Sequence, residues 1–209
     1  MQESGYLIPS STHRTETIIS RSRFITTIAH APTVQDAREF IDAMRAEFPD
    51  ATHNCWAYVT GPPGDTASIG MSDAGEPHGT AGRPMLDVLL HSGIGEIAAV
   101  VTRYFGGTKL GTGGLVKAYS GAVQEALTGL PTRRRVVQTR VRVVVPYSDI
   151  EVLRRALQEI EAEVTSEDYT DVVTYEALVP IDRIDRFRST LADRTAGRAR
   201  WDTDAPIQP

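Results

Sequence analysis

Five glycines and two lysines fall within the eighteen residues TRYFGGTKLGTGGLVKAY, Thr102 to Tyr119. Glycine lets the backbone turn through positive φ and leaves amide hydrogens uncovered, and a helix starting there adds partial positive charge. With Arg103 before the loop, Lys109 in it and Lys117 after it, this chemistry suits a phosphate, a nucleic-acid backbone or a carboxylate. Two phosphate-binding fingerprints fail. A GxxxxGK[ST] reading from Gly106 to Gly111 meets Thr112 and Gly113 where Lys and Ser/Thr belong. A GxGxxG reading finds Gly111 and Gly113 but Val116 in the third glycine position. The competing account is structural: a glycine-rich link between strand and helix, required by close packing.

A second unusual stretch is SDAGEPHGTAGRP, Ser72 to Pro84. Asp73 and Glu76 could share acid–base work, and with His78 they could hold a metal. His78 is the one nitrogen ligand close by in sequence, however, and carboxylates also build turns, with Thr80 placed to cap the helix that follows. A structured turn or contact surface is the favoured reading. His53 and Cys55 sit two apart on a strand and so point to one face. Within CWAYV a thiol reads as inert packing rather than as a nucleophile. No GxSxG elbow occurs. Arg154, Arg155, Arg186 and Arg188 alternate with acids on helical patterns and read as solvated faces.

The elements that must carry these residues follow from periodicity. TETIIS, RFITTIA, HNCWAYV, ASIGMS and EIAAVVTRYF read as strands, and Val34, Ala37, Phe40, Ile41, Met44 and Phe48 form a helical stripe after Thr33. MLDVLLHS reads as a short helix. Leu115, Tyr119, Ala122, Ala126 and Leu130 mark a longer one whose small residues let it sit close to a sheet. Gly129 and Pro131 end that helix, and Arg133, Arg134 and Arg135 read as a solvated charge run at a domain boundary. Beyond it, TRVRVVVP alternates as a strand, and Ser148 with Glu151 forms a capping box. Ile150, Leu153, Leu157 and Ile160 then mark a helix. AEVTSEDYT and VVTYEALVP pair about Thr170–Asp171, Ile181, Ile184, Phe187 and Leu191 mark a second helix, and GRARW closes as a strand. That order, βαββαβ, is ferredoxin-like.

The fold class expected is therefore α+β in two domains, residues 1–132 and 137–205. Residues 1–137 hold 12 basic and 13 acidic side chains and the remainder 10 and 14, so the halves differ in charge as well as in pattern. A net charge of -5 argues against a surface that grips nucleic acid everywhere and leaves room for a local basic patch. The single cysteine excludes an internal disulfide framework. The opening MQESGYLIPSS lacks the charged-then-apolar pattern of a leader, and no apolar run approaches the ~20 residues of a membrane span. A cytoplasmic protein with no membrane contact is expected.

Taken together, SRSRFI at 20–25, ATHNCWAYV at 51–59, SDAGEPHGTAGRPML at 72–86 and VVTRYFGGTKLGTGGLVKAYSGAV at 100–123 resemble the IMPACT/YigZ family, in order and spacing as well as in content. His78 stands where the family more often has a small Ser. The resemblance implies an N-terminal β-α-β domain like those of ribosomal proteins and elongation factors, and a C-terminal ferredoxin-like domain like one of elongation factor G. Eukaryotic relatives regulate translation in the stress response to amino-acid starvation, through a protein partner of the starvation-sensing kinase. For bacterial members, nucleic-acid or ribosome binding is suggested. A proline-dipeptidase label also circulates for some members, and this chain lacks the His, Asp and Glu set such a metal site needs.

The expected function is a non-enzymatic, translation-associated regulator that binds RNA, the ribosome or a translation-related protein. The alternative is an enzyme or binding protein for a small phosphorylated or anionic ligand at the glycine loop. No metal and no cofactor are expected. The expected binding surface joins Asp73, Glu76 and Arg83 to Arg103, Gly106, Gly107, Lys109, Gly111, Gly113, Gly114 and Lys117. In it the cations supply positive charge, while Asp73 and Glu76 orient them or face a basic partner.

Overall fold

Alternation along each strand gives one sheet two packing faces. In the strand Ile97–Tyr104, Ile97, Ala99 and Val101 join one hydrophobic cluster while Ala98 and Val100 join another. The strand His53–Val59 divides the same way, with Cys55, Ala57 and Val59 on the first face and Trp56 and Tyr58 on the second. Such runs are apolar throughout because helices cover both sides. The structure, a computed structural model, describes residues 5–203. Residues 1–4 of the expected first domain and 204–205 of the expected second lie outside the described residues.

The chain divides into a first unit, Tyr6–Arg135, and a second that holds Val136 onward. The first contains β1 (Tyr6–Pro9), β2 (His13–Ile19), β3 (Ser22–His30), α1 (Val34–Glu47), β4 (His53–Val59), β5 (Ile69–Ser72), α2 (Gly82–Leu90), β6 (Ile97–Tyr104), α3 (Gly111–Thr128) and β7 (Thr132–Arg135). Five strands form an antiparallel sheet in the order β2-β3-β6-β4-β5. Helix α1 links β3 to β4 across β6, and α2 links β5 to β6 across β4, giving two split β-α-β units. Thr33 opens α1 with a capping box, its hydroxyl accepting from Asp36 N while the Asp36 carboxylate accepts from Thr33 N. Phe24, Ile28, Met85, Leu86, Leu89, Leu115 and Tyr119 fill the core between the sheet and the pair α2 and α3. Each such large side chain, fully buried, contributes roughly 1.5–3 kcal/mol.

One part departs from the reading of the sequence. Arg133 and Arg134 are exposed, as a solvated run requires, but with Arg135 they form a strand, β7, which pairs antiparallel with β1. Glu96, buried with φ 49°, holds that ribbon in place. Its carboxylate accepts from the Tyr6 hydroxyl at 2.6 Å and from Arg135 Nε at 2.7 Å, and it lies 2.6 Å from His30 Nε2.

The second unit holds β8 (Gln138–Val145), α4 (Ile150–Glu159), β9 (Glu163–Tyr169), β10 (Val173–Pro180), α5 (Ile184–Arg194) and β11 (Arg200–Thr203). Its antiparallel sheet runs β11-β8-β10-β9, the ferredoxin-like order, with Val141, Val143, Val145, Tyr175, Leu153, Leu157, Phe187 and Leu191 in one core. Ser148 does not cap α4. It lies in a 3₁₀ turn over Tyr147–Asp149, and Asp149 occupies the cap position with its carboxylate turned to Arg198 at 2.9 Å.

Candidate functional site

Strand register brings the two unusual stretches to one end of the first unit's sheet. His53 opposes Arg103, Arg23 opposes Tyr104, and Trp56 opposes Ser72. The last residues of β5 and β6 and the first of β3 and β4 therefore share an end, from which the loops 73–81 and 105–110 depart. The β2–β3 hairpin turns there as well, through Ser20 and Arg21 at φ 47° and 67°.

In the first loop the carboxylates are structural. Asp73 Oδ1 accepts from the amides of Ala81 and Gly82 at 3.0 and 2.9 Å, and Oδ2 from that of Gly79 at 2.8 Å. Asp73 thus satisfies the start of α2, where Thr80 was the candidate cap; the Thr80 hydroxyl donates instead to Pro77 O. Burial raises the Asp73 carboxyl, and the amides of Gly79, Gly82 and Ala81 outweigh it, so the group sits below its ordinary value. A carboxylate held ionised by three amides is a poor proton acceptor. His78 is fully exposed, 3.7 Å from Asp73.

Glu76 lies beneath the surface. Its Oε1 accepts from Arg103 and, at 2.8 Å, from the Tyr119 hydroxyl. The side chains of Arg103 and Glu76 are only 5% and 4% exposed. Arg103 also donates to Ser22 Oγ at 3.2 Å, and its guanidinium lies 5.4 Å from the Phe24 ring centroid and 5.5 Å from that of Phe105. Neither charge faces solvent, contrary to the reading of Arg103 and Glu76 as surface contacts. A buried guanidinium requires a partner, and Glu76 supplies it. Around this pair, His53 Nδ1 lies 2.9 Å from Ala74 O, which accepts its proton. The Cys55 thiol donates to Asp73 O at 2.9 Å. Burial pushes that thiol up to about 12, which fits packing and excludes a ready thiolate.

The second loop rests on this network. Gly106 N donates to the same Ser22 Oγ at 3.2 Å, and Phe105 N to Thr52 Oγ1 at 3.0 Å. A Cβ on Gly106 would stand 1.9 Å from Arg21 O, so only glycine fits where the two loops cross. Gly107, at φ 83°, turns the chain outward. Among the described residues, the amides of Gly107, Thr108 and Lys109 have no hydrogen-bond acceptor, and no side chain caps α3. Gly111 and Gly113 lie exposed in its first turn, with Gly114 partly covered by Leu110. Close packing does not account for Gly113, where an added Cβ meets nothing within 4 Å. Lys109 and Lys117 are exposed, as is Arg21, and among the described residues none of the three has an acidic partner. Arg83, by contrast, pairs with Asp87 at 2.9 Å.

Two residues at this end escape a reading of the sequence for charge and glycine. Arg21 belongs to it through its carbonyl against Gly106, and Phe105 stands 48% exposed at the loop's root. The signal for Phe105 was an aromatic residue directly before two glycines. Beside the loops, Gly79, Arg83, Asp87, Val116, Ser120 and Gln124 line part of a groove of about 860 Å³ between α2 and α3. Among the described residues no group of three or more His, Cys, Asp or Glu could hold a metal, and no helix is long and apolar enough to cross a membrane.

Residues 20–127 match the family model of the Impact N-terminal domain, and residues 143–198 match that of a domain of unknown function, DUF1949. The chain is 43% identical over 193 residues to the IMPACT family member YigZ of Escherichia coli (strain K12), covering 92% of this chain and 95% of the relative. It is 39% identical to an IMPACT family member of Haemophilus influenzae over 92% of this chain and 94% of that protein. To the IMPACT family member YvyE of Bacillus subtilis (strain 168) it is 35% identical over 88% and 84%. A crystal structure described only as that of a hypothetical protein superposes with a TM-score of 0.69 at 40% identity, covering 97% of this chain and 98% of that one.

Proposed function

The chain belongs to the IMPACT family, and from that premise we propose that it is a translation-associated binding protein whose first unit takes RNA, free or within the ribosome. One observation carries the reading. The glycine loop presents the unpartnered amides of Gly107, Thr108 and Lys109 at the same sheet end as the unpaired cations Arg21 and Lys109, with Lys117 following in α3. Amides and cations without internal partners are what a phosphodiester backbone uses. The two acids of the first loop do not cancel this charge, since Asp73 is bound by three amides and Glu76 by Arg103 and Tyr119. For the same reason neither is free to serve as the base of an enzyme acting on a small substrate.

The test is co-sedimentation with RNA and with ribosomes across a salt series. Affinity should fall linearly with salt on logarithmic axes. Lys109→Ala with Lys117→Ala should flatten the slope by about 0.7 for each phosphate of a single strand that is no longer neutralised. Capture that survives nuclease and ignores Lys109 would move the function to a protein partner. A second reading rests on the groove between α2 and α3, whose volume is in the usual range for small-molecule sites and whose wall carries Arg83. It expects a thermal shift with phosphorylated metabolites that Arg83→Ala abolishes.

A further inference from the structure

Phe105 is the residue that the functional reading leaves unused. An exposed aromatic ring needs no explanation when it stands alone on a surface. This one is built in. Its amide is tied to Thr52 Oγ1 at 3.0 Å, the Thr52 amide returns to Arg103 O at 2.9 Å, and the Gly106 amide is held by Ser22 Oγ at 3.2 Å, so the backbone on both sides is fixed. The Arg103 guanidinium lies over two rings, that of Phe24, fully buried in the core, and that of Phe105, 48% exposed. Arg103 is in turn held by Glu76 and Ser22. The ring thus rests against a cation held on its other side by Glu76 and Ser22, and it stays about half exposed to solvent. Directly after it come Gly106, against which Arg21 packs, then the free amides of Gly107, Thr108 and Lys109.

We propose that Phe105 is a stacking platform for an unpaired base of single-stranded RNA, whose adjoining phosphates lie along the Gly107–Lys109 amides with Lys109 and Arg21. This rests on the reading of the loop as an RNA-binding element and goes beyond it, because it names the strandedness of the target and the group that reads it. A base inside a duplex has both faces occupied by its neighbours and offers none to an aromatic side chain. A base that has left the stack can lie on Phe105, whatever its identity, while its backbone meets the cations. Charge decides against an apolar peptide as the occupant, since the loop that follows the ring carries the unpaired Lys109 and uncovered amide donors. The cation beneath the ring is spent on Glu76, so the contact with the base is made by the ring, and Arg103 is a positioning residue.

The experiment uses the full chain and an oligoribonucleotide carrying 2-aminopurine, single-stranded or annealed to its complement. The single strand should bind and its fluorescence should be quenched on binding, with the duplex bound far more weakly. Phe105→Ala should cost about tenfold or more in affinity for the single strand and abolish the quenching, with the salt slope unchanged. Phe105→Trp should restore both. Lys109→Ala should instead lower the salt slope and keep the quenching. Single strand and duplex bound equally, or single-strand binding indifferent to Phe105→Ala, would overturn the platform while leaving RNA binding in place. No binding of either form by the unsubstituted protein at low salt would overturn the functional reading and the platform with it.

Discussion

Replacing Glu76 by Ala should be among the most damaging single changes to the first unit. The carboxylate is 4% exposed and accepts from Arg103 and from the buried hydroxyl of Tyr119. Its removal strands a guanidinium that is itself 5% exposed and whose Nε already has no partner. Breaking a buried ion pair from one side costs about 3–5 kcal/mol. Against a typical stability of roughly 5–15 kcal/mol, that is about a fifth or more of what keeps such a unit folded. With an m-value of about 2 kcal/mol/M, the urea midpoint should fall by roughly 2 M. The sequence has two tryptophans, Trp56 in β4 and Trp201 in β11, so fluorescence in a Trp201→Phe background follows the first unit separately. Glu47→Ala, which removes the exposed partner of Arg14, is the control and should scarcely move the midpoint. Glu76→Leu combined with Arg103→Met should recover much of the loss, because no charge is then left buried. A midpoint shift under about 0.5 M for Glu76→Ala would refute the account of the pair as desolvated and mutually dependent.

Gly106→Ala should destabilise by about 1–3 kcal/mol or more, since its Cβ would overlap Arg21 O, whereas Gly113→Ala should be neutral or stabilise α3 by up to about 1 kcal/mol; thermal melts of the pair check this. Folding lowers the Asp73 carboxyl below its ordinary value of 3.8, so its contribution is present above that pH and is lost as pH falls through the lower folded value. Asp73→Asn should therefore flatten the acid limb of the stability profile, read as urea midpoints from pH 5 down to about pH 2. Cys55, buried and raised to about 12, should resist a thiol reagent at neutral pH in the native protein and react at once in denaturant.

Much of the fold is legible in the sequence because burial imposes a period. TRVRVVVP alternates since one face of β8 is open, while the apolar run of β6 is continuous since helices cover both its faces. The ribbon β1–β7 was not legible. Each strand has four residues, the two pair across more than 120 positions, and TRRR carries no apolar alternation. The glycine loop could be found from composition, but its division of labour could not. Charged side chains are expected at the surface, so nothing local marks Arg103 and Glu76, 27 residues apart, as a buried pair. That pairing turned two expected contact residues into the foundation on which the loop stands. Arg21 went unremarked for a similar reason, since its place against Gly106 is set by strand register.

The ribbon has one more implication. Tyr6 lies opposite Arg135, so the chain enters and leaves the first unit side by side. A module of that kind can be opened at a surface loop and rejoined through a few residues between Tyr6 and Arg135 with every ladder retained, as circular permutation requires. It can equally be carried as an insert in a longer polypeptide, because the host sees only two adjacent stems. Clipping at Leu130, just short of the ribbon, would instead strip Tyr6–Pro9 of its β7 partner and expose a raw strand edge.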